Sequence, residues 1–344
     1  MVQWIDRSDA GKLALSGPDA YGCLQALLSA DLSRLPVGGG SATALLAPRG
    51  QVRALARVLR AERGWLLQCE RPALEGLFRG LWNGRVGWQM TLHKLTLQQG
   101  LVTLAGEAEE VAALLAGLAG AGDAADADGA AHASAAASLR DAAAADAIAR
   151  GPEHAHAPLT LAGMPVRVVR SWAGVDLIVR ADRVERLTAA LAAAGATSLD
   201  GAGWEGLRIA RGRIAYGADA GERSLPAELG LGPATVATDK GLYPGLQTVL
   251  RQQRSGTVHR CLCRLHADHA LLAAGDTLER EEASRAEQGA DDPPPRERVP
   301  AGEVTSALAF DGIGLVRAGE GPLVHAPSGT RVRATPLHDA APSL

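Results

Sequence analysis

Aromatic side chains are scarce in this sequence: six Trp, three Tyr and two Phe, 3% of 344 residues. Cores must therefore be built from Leu, Ala and Val, and each Trp or Tyr carries more structural weight than usual. Cysteine is scarce too: the four, at 23, 69, 261 and 263, follow no disulfide framework. The N-terminal Met-Val-Gln-Trp-Ile-Asp-Arg lacks a cationic and apolar leader pattern, so a reducing cytoplasm is the expected compartment. No apolar run is long enough to span a bilayer; the longest, Val111–Ala121, is short and rich in Gly and Ala, which argues against a membrane role. A formal charge of −3 supplies no basic field for nucleic acid. Phosphate loops of the P-loop and dinucleotide types are missing, since Gly38-Gly39-Gly40 lacks the following helix and lysine. No Gly-x-Ser-x-Gly nucleophile turn occurs either.

What is present reads as a globular α+β chain of two or three packed units, with a 47% apolar fraction. Ser16-Gly17-Pro18-Asp19 opens a helix whose Ala20, Cys23, Leu24, Leu27 and Leu28 recur at helical spacing, making Cys23 a core residue. Ala42–Ala47 and Val52–Leu59 read as strands around Pro48-Arg49-Gly50-Gln51, with a third at Trp65–Cys69. A helix from Pro72 presents Leu74, Leu77, Phe78 and Leu81 on one face. Met90–Leu97 and Leu101–Leu104 return as strands, and Glu107–Leu118 as a helix. From 119 to 158 the composition collapses into Ala, Asp, Gly and His, which predicts a mobile, disordered insertion, with Ser138–Arg150 as a transient alanine-rich helix. Order resumes in the hairpin Pro165–Arg170 and Val175–Arg180, followed by a helix from Asp182 to Ala194 that stops at Gly195. Beyond Thr257 short strands, Thr257–Leu265, Gly302–Leu308 and Ile313–Arg317, predict an all-β tail interrupted by a charged, proline-rich disordered loop over 279–300.

Two clusters invite a metal reading. His132, His154 and His156 are scattered in the alanine tract without ligand spacing. Cys261 and Cys263 share a strand face with His259, near His266 and His269, but the pair lacks the tighter C-x₂-C turn, so both are read as strand cysteines and no metal is expected. The densest constellation is Asp239-Lys240-Gly241-Leu242-Tyr243-Pro244-Gly245-Leu246-Gln247. Glycines on either side of an aromatic, followed by proline, make a built turn. It either presents Tyr243 and Lys240 to a pocket or turns a strand into a helix, and composition leaves both open. Arg208 likewise reads as a solvated helix cation or a ligand contact, Glu228 as a first-turn helix acid or a site carboxylate, and Trp204 as a core anchor or a stacking platform.

The order of these segments is what connects them. Leu207-Arg208-Ile209 with Gly212, Tyr216 and Gly217, then Pro226-Ala227-Glu228-Leu229, then Lys240-Gly241 with Tyr243 and Gly245, then Arg254, Gly256 and Arg260 resembles the YgfZ/GcvT-like family of folate-binding proteins. Leu15, Gly17, Asp19-Ala20 and Ala47-Pro48 with Gly50 are similar to that family's opening. The resemblance implies an α+β fold of two interleaved ferredoxin-like subdomains with a small C-terminal antiparallel β-barrel. It divides the chain into a first part of the body over 1–118, the insertion over 119–158, a second part over 159–253 carrying the turn 239–247, and a barrel over 254–340. It implies tetrahydrofolate as ligand, contacted by Lys240, Gly241, Tyr243, Gly245, Arg208, Glu228 and Trp204. It further implies an accessory role in iron–sulfur protein assembly or repair and in tRNA modification, with iron–sulfur proteins or their assembly factors as partners and a monomeric state.

The departures from the family are chemical. Leu242 stands where the YgfZ signature has its cysteine, so thiol chemistry does not carry over. Ala210 replaces a glutamate of the aminomethyltransferase branch, and Arg53, Ala54 and Leu55 occupy the place of its aspartate, the proton-handling carboxylate. A non-catalytic folate-binding protein is therefore the expectation. A folate-dependent aminomethyl or one-carbon transferase, and an interaction scaffold without ligand, are the alternatives.

Overall fold

The computed structural model describes residues 1–120, 131–283, 296–319 and 321–337. They fall into two compact units: Met1–Leu45 with Ala54–Trp204, and Leu46–Arg53 with Glu205–Leu344.

The first unit opens with β1 (Gln3–Asp6), β2 (Gly11–Ser16) and α1 (Ala20–Leu27), then β3 (Gly40–Leu46), β4 (Val52–Ala61), β5 (Gly64–Cys69), α2 (Leu74–Gly84), β6 (Thr91–Lys94) and β7 (Gln99–Ala105). There follow α3 (Ala108–Gly120), α4 (Ala131–Arg150), β8 (His156–Leu161), β9 (Met164–Ser171), β10 (Gly174–Arg180), α5 (Val184–Ala193) and β11 (Thr197–Ser198). Two sheets result, with strand orders β11-β1-β7-β10-β9-β8 and β3-β4-β5-β2-β6. The alternation of side chains along each strand sorts residues between two cores. On the first sheet Val102, Leu104, Val166, Val168, Val175, Leu177 and Val179 face a core shared with Val111, Leu115, Leu118, Leu187 and Leu191 of the helices. The intervening Leu101, Val169 and Ile178 face the opposite way and meet Ala10 and Leu59. On that side Asp176 of β10 accepts from Arg57 of β4 at 2.6 Å and from the Thr103 hydroxyl of β7 at 2.6 Å. A carboxylate 2% exposed is thus fully partnered, as a buried charge must be.

The structure revises the reading of the alanine-rich tract. Its residues 121–130 lie outside the described ones, but Ala131–Arg150 is a 20-residue helix. Ala145, Ile148 and Ala149 of α4 are buried with α3 in the first sheet's helical core. Arg150 ties the end of α4 to Asp146 and Glu109. Small side chains explain why the periodicity was faint: alanine lets two helices approach closely while contributing little hydrophobic contrast.

The helix α6 (Gly201–Ala210) carries the chain into the second unit, which continues through an irregular stretch to α7 (Leu246–Ser255) and then β12 (Arg260–Ala267), β13 (Thr277–Ala283), β14 (Arg296–Leu308), β15 (Asp311–Arg317), β16 (Leu323–His325) and β17 (Arg331–Pro336). These six strands close a barrel in the order β12-β15-β14-β13-β16-β17, and every pairing is antiparallel. Its interior holds Cys261, Cys263, Leu265, Leu278, Val304 and Val332. Within the span 279–300, expected to be a disordered loop, the described residues 279–283 and 296–300 are strand. Its flanks are strands, paired from Thr277↔Glu303 to Ala283↔Arg296, while 284–295 lie outside the described residues. Charge alternating with Leu278 and Val299 hides a strand whose outward face is solvated.

Candidate functional site

The turn 239–247 is organised by two glycines that require each other. Gly245 adopts φ +85° as the N-cap of α7, and a Cβ placed on it would lie 2.8 Å from the Ala47 carbonyl oxygen and 3.0 Å from Gly50 Cα. Gly50, at φ +86°, faces Thr248 of α7 so closely that its own Cβ would lie 2.8 Å from the threonine Cβ. Both positions combine a left-handed backbone with an approach that excludes side chains. The segment Ala47–Gln51 is thereby fixed against the start of α7 within the second unit, and the Tyr216 hydroxyl donates to the Arg53 carbonyl 2.7 Å away.

Upstream in the same turn, Tyr243 is buried at 7% exposure, and its hydroxyl donates to the Ala237 carbonyl at 2.7 Å. Burial pushes the phenol up to about 12, so it is a neutral donor throughout the physiological range. Lys240 places its ammonium 5.1 Å from the centre of that ring, within cation–π range. Gly241, at φ +101°, and Leu242 form the outer edge; Leu242, in the place of the family's cysteine, is 83% exposed.

Arg208 is no solvated cation. It is 4% exposed, forks onto Glu205 three residues earlier, and donates to Asp219 at 2.5 Å. The partner Asp219 also accepts the hydroxyls of Thr305 and Ser306, each at 2.6 Å, from β14 of the barrel. Glu228 lies in a turn and not in the first turn of a helix; its carboxylate accepts the Leu225 amide at 2.9 Å and Arg260 Nε at 2.6 Å. Both residues sit in bonded clusters that tie the irregular stretch 211–245 to the barrel. Trp204 belongs to the first unit: its ring centre lies 4.9 Å from that of Trp172, and the Arg7 guanidinium sits 4.5 Å from it.

An apolar cavity of about 320 Å³ opens in the second unit between the segment Pro226–Val236 and α7, walled by Leu231, Pro233, Val236 and Val249 with Gln252 and Gln253 supplying the hydrogen-bonding groups. None of the seven residues singled out in the sequence lines it. No sequence signal marks such a cavity, because glutamines on a polar helix face look like solvent residues until the opposing loop is in place. Cys261 and Cys263 lie in the barrel core with sulfur atoms 3.5 Å apart. Among the described residues no group of three or more His, Cys, Asp or Glu converges on a metal-sized point. Among the same residues no helix is long and apolar enough to cross a membrane.

No protein-family model matches the chain, and no curated protein does. Solved structures do. The glycine cleavage system aminomethyltransferase T from Bartonella henselae superposes with a TM-score of 0.73 at 17% identity, over 99% of this chain and 86% of that one. The heterotetrameric sarcosine oxidase from Corynebacterium sp. U-96 aligns over 58% of this chain and 88% of that chain at a TM-score of 0.37 and 18% identity. The fold is that of a glycine cleavage aminomethyltransferase T, the GcvT-like arrangement of an α+β body with a closed C-terminal barrel.

Proposed function

We propose that this chain is a tetrahydrofolate-binding accessory protein on the aminomethyltransferase T scaffold, without aminomethyl transfer of its own. The observation that carries the reading is the state of the second unit's buried carboxylates. Asp219 and Glu228 are both committed to arginines and to backbone or hydroxyl donors. A proton-transfer base must reach the reacting nitrogen with an open lone pair, and Ala210 and Leu55 supply no carboxylate where the aminomethyltransferase branch has them.

The residues present fit a folate in a different manner. A pterin is a flat ring with an aminopyrimidine edge, and the 320 Å³ cavity beside α7 offers apolar walls and the carboxamides of Gln252 and Gln253, neutral groups able to pair with such an edge. Lys240 supplies positive charge for the anionic glutamyl tail, and Tyr243, Gly241 and Gly245 shape the turn that carries it. Bound folate supplies the capacity to carry a one-carbon unit. This chain's residues bind and orient it. The role beside iron–sulfur proteins and in tRNA modification follows from the resemblance to the YgfZ branch.

Titration of the full chain with tetrahydrofolate, followed by calorimetry, tests the reading. Saturable binding is expected, weakened about tenfold by Gln252→Ala, in line with the loss of a hydrogen bond in an apolar site, and also weakened by Lys240→Ala. No saturable signal up to millimolar ligand sinks it. The shared fold favours a second reading, a folate-dependent aminomethyl or one-carbon transferase. Formation of methylene-tetrahydrofolate from an aminomethylated carrier protein would establish that reading instead.

A further inference from the structure

The closed barrel gathers a serine, a histidine and an aspartate that the folate reading does not use. The turn between β16 and β17 carries Ser328, which is exposed, three residues after His325, which is 3% exposed. The Ser328 hydroxyl lies 2.7 Å from His325 Nδ1, and His325 Nε2 lies 2.7 Å from Asp276 Oδ2. Asp276 comes from the turn before β13, and the pairing of β13 with β16 brings the two turns together. The Ala326 amide, donating to the Thr277 carbonyl at 3.0 Å, fixes their approach.

The proton positions follow from the partners. A carboxylate only accepts, so Nε2 carries the imidazole proton and Nδ1 keeps an open lone pair toward the Ser328 hydroxyl. Burial pulls the Asp276 carboxyl up, but the Ala273 amide, 2.7 Å from the same oxygen, and His325 outweigh it and hold it below the ordinary carboxylate range. A hydroxyl, a base with its lone pair aimed at it, and a carboxylate fixing the tautomer of that base form the arrangement that activates a serine. The same bonds also staple the turn, and reactivity of the hydroxyl is what separates the two roles.

The surroundings limit the chemistry. The Ser328 and Gly329 amides donate to the His325 carbonyl at 3.2 and 2.8 Å, and the Thr330 amide to the Ser328 hydroxyl at 3.2 Å. Amides spent inside the turn do not form an oxyanion hole, a device worth about 10²–10³ in rate. The acyl donor must therefore bring a good leaving group.

We infer that Ser328 is an activated nucleophile that takes acyl groups from activated esters, with His325 as general base and Asp276 as a positioning residue. Ser328 Oγ bonds to the acyl carbon as the bond from that carbon to the leaving oxygen breaks. His325 Nδ1 takes the hydroxyl proton and passes it to the departing oxygen. Water then adds to the acyl-serine, giving its proton to Nδ1, and the carboxylic acid leaves as Ser328 recovers its proton. All three residues belong to the barrel, and none lines the cavity beside α7, so the site stands apart from the folate reading.

p-Nitrophenyl acetate added to the full chain, with acid quenching and peptide mapping by mass spectrometry, tests the assignment. Acetylation of Ser328 is expected about a hundredfold faster than that of Ser255, in line with general-base assistance. Ser255 is an exposed serine whose hydroxyl donates to a backbone carbonyl, that of Gln252. His325→Gln is expected to remove the advantage. Asp276→Asn is expected to slow acetylation together with loss of the Nε2–H tautomer, read in the imidazole nitrogen resonances, and a tautomer that persists overturns the positioning role. Equal labelling of the two serines, or an advantage kept by His325→Gln, overturns the whole assignment. Should His325→Gln fail to fold, the comparison of Ser328 with Ser255 in the unmodified protein decides by itself.

Discussion

His156 shows how one residue can set a property of the whole first unit. The imidazole is 3% exposed, and Arg167 donates to its Nδ1 at 2.8 Å, a bond that only the neutral ring can accept. Burial first, and the Arg167 charge second, lower its pKa from 6.5 to about 4. The sign follows directly. Because the folded-state value is depressed, the unfolded chain takes up the proton first as pH falls, and the stability present above pH 6.5 is lost progressively toward pH 4. The loss amounts to about 3 kcal/mol over that window. Urea unfolding of the unmodified protein and of His156→Gln at pH 7 and pH 4.5 is expected to show the larger acid loss in the unmodified protein. Parallel pH profiles would refute the assignment. In sequence His156 was one of three histidines in an alanine-rich tract. Its burial, and the arginine eleven residues later that fixes its tautomer, became visible only once β8 and β9 paired.

At the level of elements, what the sequence made legible was whatever had strong contrast. The hairpin β9–β10 and the helices α1, α2 and α5 carry Val, Ile and Leu at period 2 or 3.6, and they formed where that periodicity put them. The signature turn was legible through Gly241 and Gly245 on either side of Tyr243, both of which take positive φ, although the contact of Gly245 with Gly50 was not. Elements built from alanine or from alternating charge were only partly legible: composition offered a transient helix over Ser138–Arg150 but hid the packing of the longer α4. Its Ile148, 6% exposed among Val111, Leu115 and Leu159, gives a decisive test. Ile148→Ala is expected to lower stability by about 2 kcal/mol through the cavity it leaves, read as a shift in the urea midpoint. A mobile insertion would lose nothing by the change. The partners of Arg208 were hidden for a different reason: Asp219 is eleven residues distant and Ser306 joins from β14, so only the closed barrel brings the cluster together.

For the whole molecule, the fold and the chemistry separate. An aminomethyltransferase T scaffold is kept at 17% identity, because a packed core tolerates substitution that preserves pattern and volume. Function resides in the few groups placed on it. Ala210 sits exposed at the end of α6, so a longer side chain there meets no packing barrier. Ala210→Glu is therefore expected to leave stability unchanged and, because Ala210 does not line the cavity beside α7, to leave tetrahydrofolate binding unchanged as well, measured by calorimetry. Turnover is not expected from that change alone, since the proposed reading finds no proton-handling carboxylate at Arg53, Ala54 or Leu55. Release of methylene-tetrahydrofolate from an aminomethylated carrier by the single variant would show that one carboxylate suffices. Unchanged binding without turnover is what the proposed accessory role predicts, and tighter binding by the variant would instead place the ligand beside α6.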